Sequence, residues 1–367
     1  MKKKILHFYL GYSSFVRKDE DILRKRYPVV GFKFSSSPKW LTPWRIVQQF
    51  SFILRHVWNT GLMVCQSAGY LSFLPVLLGK MFRIPVLIIV IGTDAHSFPS
   101  IHYGHFRKPA LAWFTRFSLK HATVLAPVHG SLVDSVYEYD DRDFPRQGFL
   151  YFAPDVRTPV RVILNGYDDR LFRPLPGIRR ETTSFVTAVA NIDIPDVYFR
   201  KGIDLYLEMA RRFPDYRFVL LGVPPDHPMG KDLSNLEKIP FVPQEKLAEV
   251  YSRCRFYLQL SMAEGLPNAI CEAMLCECVP IASAVFALPE IVGDSGFLLP
   301  RRDPDLLEAL IRKALHSDLD RLGRRARARI QTLFPLKRRE EELLQLVAAL
   351  MEGIFPGRPA KADSTTA

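Results

Sequence analysis

The chain has 367 residues, of which 48% are hydrophobic and 24% charged. This balance excludes an intrinsically disordered chain and a membrane-spanning bundle, and the length exceeds what one hydrophobic core usually supports. The net charge of +12 is uneven, because residues 1–170 hold 23 Lys and Arg against 12 Asp and Glu, whereas residues 171–367 hold 27 against 26. We therefore predict two domains. The first either meets an anionic partner, such as a membrane surface, or has a basic surface without a dedicated partner.

The N-terminal segment "MKKKILHFYLGYSS" has an apolar run that is short, contains His7 and lacks a small-residue cleavage site, so a first β-strand fits it better than a signal peptide. The most apolar region, residues 71–92, is interrupted by Lys80, Arg83 and Pro85. This pattern favours a buried helix followed by a buried strand over a membrane span. We expect a cytoplasmic protein, either free or peripheral on the inner face of the plasma membrane.

Short apolar runs alternate with helical patterns in both halves of the chain. Strands are predicted at "KILHFYL", "PVVGFKF", "LMVCQS", "PVLIIVIG", "TVLAPV" and "VRVILNG" in the first half, and at "SFVTAVA", "YRFVLLG", "FYLQLS", "VPIAS" and "GFLLP" in the second. Strands that alternate with helices of 10–15 residues indicate βαβ units. The predicted fold class is α/β, with two doubly wound parallel-sheet domains.

The domain boundary is predicted near residues 165–177, "NGYDDRLFRPLPG", where turn residues and prolines cluster. We assign residues 1–168 to an N-terminal acceptor-binding domain and residues 169–334 to a C-terminal donor-binding domain. Residues 335–355 have apolar positions at helical spacing and are expected to form a helix that crosses back to the N-terminal domain. Residues 356–367 are polar and are predicted to be a disordered tail.

The segment "KWLTPWRIVQQFSFILRHVW", residues 39–58, mixes aromatic and basic residues on one helical pattern. The residues are Trp40, Trp44, Phe50, Phe52 and Trp58, with Lys39, Arg45 and Arg55. This combination suits the headgroup boundary of a membrane. The alternative is an ordinary helix that packs its aromatic residues on the sheet, and the sequence leaves both open.

Five cysteines are present: Cys65, Cys254, Cys271, Cys276 and Cys278. An odd number without a secretion signal argues against a disulfide framework. The last three are closely spaced, but no His lies near them, so the spacing is not typical of a zinc site. We expect small buried core residues and no metal.

Two carboxylates, Glu264 and Glu272, lie eight positions apart in "SMAEGLPNAICEAM". Pro267 is typical of a first helical position, so Glu264 lies in a turn before a helix and Glu272 lies inside that helix. The helix start can bind a diphosphate through backbone N–H groups, and Gly265 allows close approach of a ligand. Carboxylates suit the vicinal hydroxyls of a ribose or a hexose. The segment predicts a nucleotide-sugar site, with exposed or structurally paired glutamates as the alternative.

The segment from Ser261 to Pro300 resembles the E-x7-E segment of family 4 glycosyltransferases, which have the GT-B fold of two Rossmann-like domains. "RKGIDLYLEMARRFPDYRFVLLG" is similar to the K-G-x-D-x-L helix of that family and the strand that follows it. "VILNGYDDRLFRP" is similar to its interdomain element. Together these segments cover about residues 160–300, and the N-terminal half matches only in layout.

The resemblance implies donor-site roles for five residues. Glu272 would bind the ribose and Glu264 the transferred sugar. The backbone of Gly265, Leu266 and Asn268 would hold sugar hydroxyls or phosphate. Asn165 and Gly166 would lie at the edge of the cleft.

The resemblance also implies that Lys201 binds the diphosphate. Where the family commonly has an Arg after the first strand of the C-terminal domain, this chain has Asn191, which we assign to the donor site, and we expect Arg200 to supply the missing positive charge. A leaving diphosphate needs such charge, because its negative charge grows in the transition state. The first turn has a single Gly11 where many family members have a pair, which leaves an acceptor-phosphate role there open.

On the acceptor side, "VIGTDAHSF" follows the most apolar strand and resembles the G-T-D turn of family members. The carboxyl ends of parallel strands are where open α/β sheets bind ligands. Asp94 and His96 are therefore candidates to orient an acceptor hydroxyl, with a capping Asp and a packing His as the alternative. His129, in "APVHGS", is a weaker candidate.

We expect a retaining glycosyltransferase that uses a nucleotide-sugar donor and no cofactor or metal, as the resemblance implies. A lipid-linked or polysaccharide acceptor at an anionic membrane suits the basic first half. The alternative is a catalytically silent relative that binds nucleotide-sugar or membrane. A nucleic-acid binder is disfavoured, because the basic residues are dispersed and no nucleic-acid module is present.

Overall fold

The computed structural model of the chain describes residues 3–35 and 39–354. The N-terminal domain has a parallel sheet of five strands in the order β2-β1-β3-β4-β5, followed by a small antiparallel pair, β6 and β7. The elements are β1 Lys4–Tyr9, α1 Ser14–Arg24, β2 Val29–Lys33, α2 Thr42–His56, β3 Thr60–Cys65, α3 Tyr70–Phe82, β4 Val86–Val90, α4 Pro109–His121, β5 Val124–Pro127, β6 Ser135–Val136, β7 Arg146–Gln147 and α5 Phe149–Phe152.

The C-terminal domain has a parallel sheet of six strands in the order β10-β9-β8-β11-β12-β13. Its elements are β8 Glu181–Ala188, α6 Pro195–Arg200, α7 Ile203–Arg212, β9 Arg217–Leu221, β10 Leu236–Ile239, α8 Gln244–Arg253, β11 Cys254–Gln259, α9 Asn268–Leu275, β12 Val279–Ser283, α10 Leu288–Val292, β13 Phe297–Leu299, α11 Pro304–Leu315, α12 Leu319–Leu333 and α13 Leu336–Met351. The prediction of two doubly wound parallel-sheet domains is confirmed.

The order of strands decides which helices share a face of the N-terminal sheet. The chain moves from β1 to β2 in one direction and then back past β1 to β3, β4 and β5. Because such crossovers are right-handed, α1 covers one face and α2, α3 and α4 cover the other. Strands β3, β4 and β5 are buried along their whole length, as expected of a sheet with helices on both sides.

The apolar region at residues 71–92 forms α3 and β4, which confirms the predicted buried helix and strand. No helix in the two described stretches is long and apolar enough to cross a membrane. All five cysteines are buried and unpaired with one another, as predicted.

One predicted strand, residues 160–166, is not a strand of the sheet. The segment lies beside β5, where the Arg161 N–H donates to the Leu125 carbonyl at 2.9 Å and the Ile163 N–H donates to the Pro127 carbonyl at 3.0 Å. Neither Pro127 nor Pro159 has an N–H, so a regular ladder cannot form there. Strand β10 and the β6–β7 pair were not predicted from the sequence.

The last helix, α13, packs against α1 and β3 of the N-terminal domain. Its Arg339 is buried and donates two hydrogen bonds of 2.7 Å to the carboxylate of Asp19 on α1, and further bonds of 3.1 Å to the carbonyls of Ile163 and Leu164. Burial opposes the ionisation of Asp19, but the charge and hydrogen bonds of Arg339, with a bond from Gln66, hold its pKa below the ordinary value. The predicted tail, residues 356–367, lies outside the described residues.

We expect Arg339→Met to destabilise the protein by about 3–5 kcal/mol, because it leaves the Asp19 carboxylate buried without a counter-charge. The double variant Arg339→Met/Asp19→Asn should lose less stability, since it removes the buried negative charge as well. Urea unfolding midpoints measure both. Arg338→Met, which removes the neighbouring exposed partner of Glu342, is the matched control and should cost under about 1 kcal/mol. Equal losses for Arg339→Met and Arg338→Met would contradict this account of how α13 is held.

Candidate functional site

A cavity of about 380 Å³ lies between the two domains, at the carboxyl ends of their parallel strands. This is the edge at which open α/β sheets bind ligands. Both domains line the cavity. The N-terminal domain contributes Phe15, Ile89, Ile91, Val128 and Asn165, and the remainder of the chain contributes Ala188, Ala190, Lys201, Gln259, Glu264 to Ala269, and Arg339.

Glu264 lies in the loop between β11 and α9 and is 8% exposed. One of its oxygens, Oε1, accepts three hydrogen bonds: from Lys201 Nζ at 2.5 Å, Ser261 Oγ at 2.8 Å and Gln259 Nε2 at 3.1 Å. Such charge-assisted bonds fix both the carboxylate and the ammonium in place. The structure therefore brings together two of the predicted catalytic residues, Glu264 and Lys201.

Two acceptors in this cavity lining lack a partner. The side-chain oxygens of Gln259 and Asn268 are buried and, among the described residues, accept no hydrogen bond. The Gln259 amide is oriented by its Nε2, which donates to Ser261 and Glu264. Since buried polar atoms are almost always paired, these two oxygens indicate a place for the hydroxyl donors of a ligand.

The start of α9 faces the same cavity, because Pro267 and Asn268 belong to its lining. Pro267 precedes the helix and no side chain caps its first turn. The first backbone N–H groups of a helix have no acceptor within the helix and carry a partial positive charge. The predicted anion-binding helix start therefore lies next to Lys201.

Glu272 lies in the second turn of α9 and is 5% exposed. Burial raises its pKa to about 7, although the charge of Lys18 and a 3.5 Å hydrogen bond from Gln244 act in the opposite direction. Lys18 belongs to α1 of the other domain, where it donates to the Gly166 carbonyl at 2.6 Å and lies over the ring of Tyr167. Burial lowers the pKa of the Lys18 ammonium, and the Glu272 charge opposes that shift.

Two glycines bring backbone segments together at this site. A Cβ at Gly265 would lie 2.2 Å from the Ile91 carbonyl oxygen of the N-terminal domain, and a Cβ at Gly202 would lie 2.1 Å from the Leu260 carbonyl oxygen. Gly202 also has a positive φ of 67°. Any side chain at these positions would displace backbone, so the glycines allow the cleft to close and Lys201 to reach Glu264.

Arg200 lies in the contact between the domains. Its guanidinium is over the ring of Tyr103, 4.7 Å from the centroid, and its Nε is buried and without a partner among the described residues. A cation over an aromatic face is attracted by the ring quadrupole. Arg200 is thus held by the opposite domain, immediately beside Lys201.

Asn191 has a positive φ of 58°, is exposed, and accepts a hydrogen bond from the Ile194 N–H through its carbonyl. Asn adopts this left-handed conformation more readily than most residues. Asn191 forms a turn after β8 and, like Arg200 and Glu272, is not among the residues that line the cavity. Its assignment to the donor site stays a prediction.

Two of the residues predicted on the acceptor side, Asp94 and His96, are fully buried. The Asp94 carboxylate accepts hydrogen bonds from the N–H groups of Ala68, Ile91 and Gly92, at 2.8, 3.1 and 3.1 Å. Both oxygens accept backbone hydrogen bonds, which fits the alternative that Asp94 stabilises the loop after β4, and the predicted acceptor role stays a prediction.

His96 is also fully buried, and its ring lies 4.3 Å from that of Phe286 in the C-terminal domain. Burial lowers its pKa to about 3, so the ring is neutral at ordinary pH. Both ring nitrogens of His96 are buried and have no hydrogen-bond partner among the described residues, so the prediction that His96 orients an acceptor stays a prediction. His129 bonds across the domains to Glu290 at 3.0 Å, whereas Gly11 lies in an exposed turn with open space around it.

Sequence reasoning missed Gln259, Ser261, Lys18, Gln244 and Tyr103. Gln259 gave a signal, because it is a polar residue at the end of an otherwise apolar strand. Lys18 and Tyr103 gave none, since each acts across the domain boundary. No group of three or more His, Cys, Asp and Glu side chains that could hold a metal occurs in residues 3–35 and 39–354.

We expect Glu272→Gln to stabilise the protein relative to the wild type as the pH rises. The folded-state pKa of about 7 lies above the ordinary 4.5, so ionisation opposes folding once the pH exceeds the lower value. Between pH 5 and pH 8 the relative gain should be about 2–3 kcal/mol. Urea midpoints at the two pH values measure it, with exposed Glu245→Gln on α8 as the matched control. A pH-independent difference for Glu272→Gln would refute the raised pKa.

Comparison with known proteins agrees with this geometry. Residues 192–330 match the family model described as glycosyl transferases group 1. One component of the phosphatidylinositol N-acetylglucosaminyltransferase of Arabidopsis thaliana is 28% identical over 171 residues, which span 43% of this chain and 37% of that protein. The match therefore leaves most of that relative's length uncovered.

Solved structures are similar over nearly the whole chain. Sucrose-phosphate synthase from Thermosynechococcus elongatus has a TM-score of 0.73 at 18% identity, covering 96% of this chain and 100% of that one. HepE from Anabaena, in complex with UDP-glucose, has a TM-score of 0.67 at 14% identity, covering 95% and 100%. The chain therefore has the GT-B fold, and residues 192–330 are similar to the glycosyl transferases group 1 family.

Proposed function

We propose that the protein is a retaining glycosyltransferase that moves a sugar from a nucleotide-sugar donor to an acceptor hydroxyl. The observation that carries this proposal is the cavity in which the Lys201–Glu264 pair and the start of α9 converge, with Glu272 further along the same helix. The group 1 match and the UDP-glucose bound to the HepE structure support it. Retention and independence from metal rest on the family resemblance.

The donor would extend along α9. Its diphosphate would lie between Lys201 and the helix start, where charge and backbone N–H groups coincide. Its ribose would bind the Glu272 carboxylate, which accepts hydrogen bonds from vicinal hydroxyls. The transferred sugar would bind Glu264 and the unpartnered oxygens of Gln259 and Asn268.

Two cations would stabilise the leaving group. Cleavage of the bond between the anomeric carbon and the diphosphate leaves the electron pair on the diphosphate, whose negative charge therefore grows. Lys201 lies at the cavity and Arg200 lies next to it in the domain contact. Arg200 would compensate for Asn191, which takes the place of the Arg common in the family. Arg200 packs on Tyr103 and is not among the residues that line the cavity, so its position leaves the catalytically silent alternative open.

The acceptor would enter from the N-terminal domain. That domain holds most of the excess positive charge, which suits a lipid-linked or polysaccharide acceptor made at the cytoplasmic face of an anionic membrane. The turn at Gly11, flanked by exposed Leu10 and Tyr12, follows β1 at the carboxyl edge of the sheet and is the proposed acceptor side of the cleft.

We expect one member of a panel of UDP-, GDP- and ADP-sugars to be hydrolysed slowly, and to be consumed faster when a lipid extract supplies the acceptor. Glu272→Ala should lose most of this activity, because the ribose contact is removed. Released sugar and nucleotide measure turnover, and calorimetry measures binding. Tight binding without turnover in any mixture would favour the silent relative. Absence of binding to all three donors would exclude the nucleotide-sugar proposal.

We expect Lys201→Ala to lower kcat by about 10²–10³-fold, the typical loss when one group that stabilises developing charge is removed. Arg200→Ala should lower kcat as well, with a smaller effect on KM, if its charge acts on the leaving diphosphate. Arg211→Ala, which removes an exposed arginine paired with Asp232 on the far end of α7, is the matched control. If both site variants keep the kcat of Arg211→Ala, the assignment of the leaving-group cations is wrong.

A further inference from the structure

We propose that the outer face of the N-terminal domain formed by α2, α3 and α4 is a docking surface for an anionic lipid bilayer. This inference deepens the proposed function, on which it rests, by naming the surface through which the enzyme reaches a lipid-linked acceptor. It is carried by the exposure of aromatic side chains and by the distribution of charge, neither of which the donor site requires.

Helix α2 has two apolar stripes. One faces the core as in an ordinary surface helix, with Ile53 buried and Ile46 and Phe52 half-buried against the core. The other faces outward: Trp44, Val47, Phe50 and Leu54 are exposed, and with Trp40 just before the helix and Trp58 just after it they recur every three or four positions. Trp40, Trp44 and Trp58 are 77%, 60% and 85% exposed.

The neighbouring helices extend this apolar face. Leu77 and Met81 of α3 and Trp113 of α4 are exposed, the last at 55%, and the rings of Trp113 and Phe73 are 5.9 Å apart. Contiguous exposed apolar surface of this kind on a soluble domain marks an interaction site. Tryptophan in particular suits the boundary between headgroups and acyl chains, because its ring is apolar and its N–H group can still bond to water or headgroups.

The charge on the helices of this face is predominantly positive. Residues 39–121, which run from just before α2 to the end of α4, contain 9 Lys and Arg but a single acidic residue, Asp94, which is fully buried in the loop after β4. Asp155, outside this range, pairs with Lys120 near the end of α4. Arg55 of α2 and Lys80 of α3 are exposed beside the apolar residues. Each cation near an anionic membrane surface adds its own electrostatic attraction, so Arg55 and Lys80 both strengthen binding.

The same charge distribution argues for a bilayer over a second copy of the chain. Two copies meeting through this face would bring its positively charged helices together, with no surface carboxylate from residues 39–121 to pair with Arg55 or Lys80. A bilayer supplies both an anionic layer and an apolar one.

The direction of α2 fixes how the domain would sit. The helix follows β2 and precedes β3, so it begins at the carboxyl edge of the sheet, where the cleft opens, and ends at the opposite edge. From Trp40 to Trp58 the stripe spans about 27 Å. A domain lying on this stripe would place one rim of the cleft at the membrane surface.

The test is sedimentation of the full chain with vesicles of phosphatidylcholine alone or with about one third phosphatidylglycerol. We expect binding to the anionic vesicles at least 10-fold above that to the neutral ones, weakened by salt. The double variant Trp44→Ser/Trp58→Ser should reduce binding at least 10-fold, and Arg55→Glu/Lys80→Glu should abolish the preference for anionic lipid. Phe241→Ser and Lys313→Glu, at exposed positions of the C-terminal domain, are the matched controls.

Unchanged thermal unfolding would show that the variants are folded, and an unchanged rate of donor hydrolysis would separate this proposal from the proposed activity. Binding that the Trp variants do not alter would overturn the proposal, as would the absence of binding to either vesicle. A dimer in solution that Trp44→Ser/Trp58→Ser dissociates would assign the face to a second copy instead.

Discussion

The two domains meet at Gly265 with no room for a side chain. The Gly265 backbone N lies 3.3 Å from the position a Cβ would take at Gly92, and a Cβ at Gly265 itself would overlap the Ile91 carbonyl oxygen. Because Gly265 immediately follows Glu264 and precedes α9, this approach presses the donor loop of one domain against the loop after β4 of the other. The cavity exists in its observed form only while that contact holds, so the site belongs to both domains.

The close approach of the two domains also determines which charged side chains lie near one another around the cleft. Three buried carboxylates lie near cations: Glu264 and Asp19 form ion pairs with Lys201 and Arg339, whereas Lys18 acts on Glu272 only through its charge. Two of these pairs join α1 to α9 or α13, elements far apart in sequence. Lys201 and Arg339 balance the charges of Glu264 and Asp19, and burial, which raises the pKa of Glu272 to about 7, reduces its charge near neutral pH, so a diphosphate entering the cleft would meet little net repulsion.

Much of the fold could be predicted from the sequence, because its information is local. The alternation of apolar runs and helical patterns predicted both sheets, and Pro267 predicted the start of α9 between Glu264 and Glu272. The strand predicted at residues 160–166 does not form, because proline interrupts the hydrogen-bond ladder there. An apolar pattern alone does not show where a ladder is interrupted.

The candidate site was predictable only where its residues follow one another in the chain. Glu264, Gly265 and Asn268 belong to one segment, and Lys201 was found through its own motif. For Asp94 and His96 the sequence left two roles open, because a turn at the carboxyl end of a strand can bind a ligand or stabilise only its own loop. Their contacts with Ala68 and Phe286 join residues far apart in sequence and could not be predicted. Lys18 and Tyr103 could not be predicted, because their contacts depend on how the two domains are positioned relative to each other.

The central claim is that a nucleoside diphosphate binds along α9. The most direct measurement is a crystal structure of the protein soaked with UDP, GDP or ADP. The account predicts the ribose hydroxyls on the Glu272 carboxylate and the diphosphate between Lys201 and the N–H groups at the start of α9. A nucleotide bound elsewhere, or one whose ribose points away from Glu272, would contradict it.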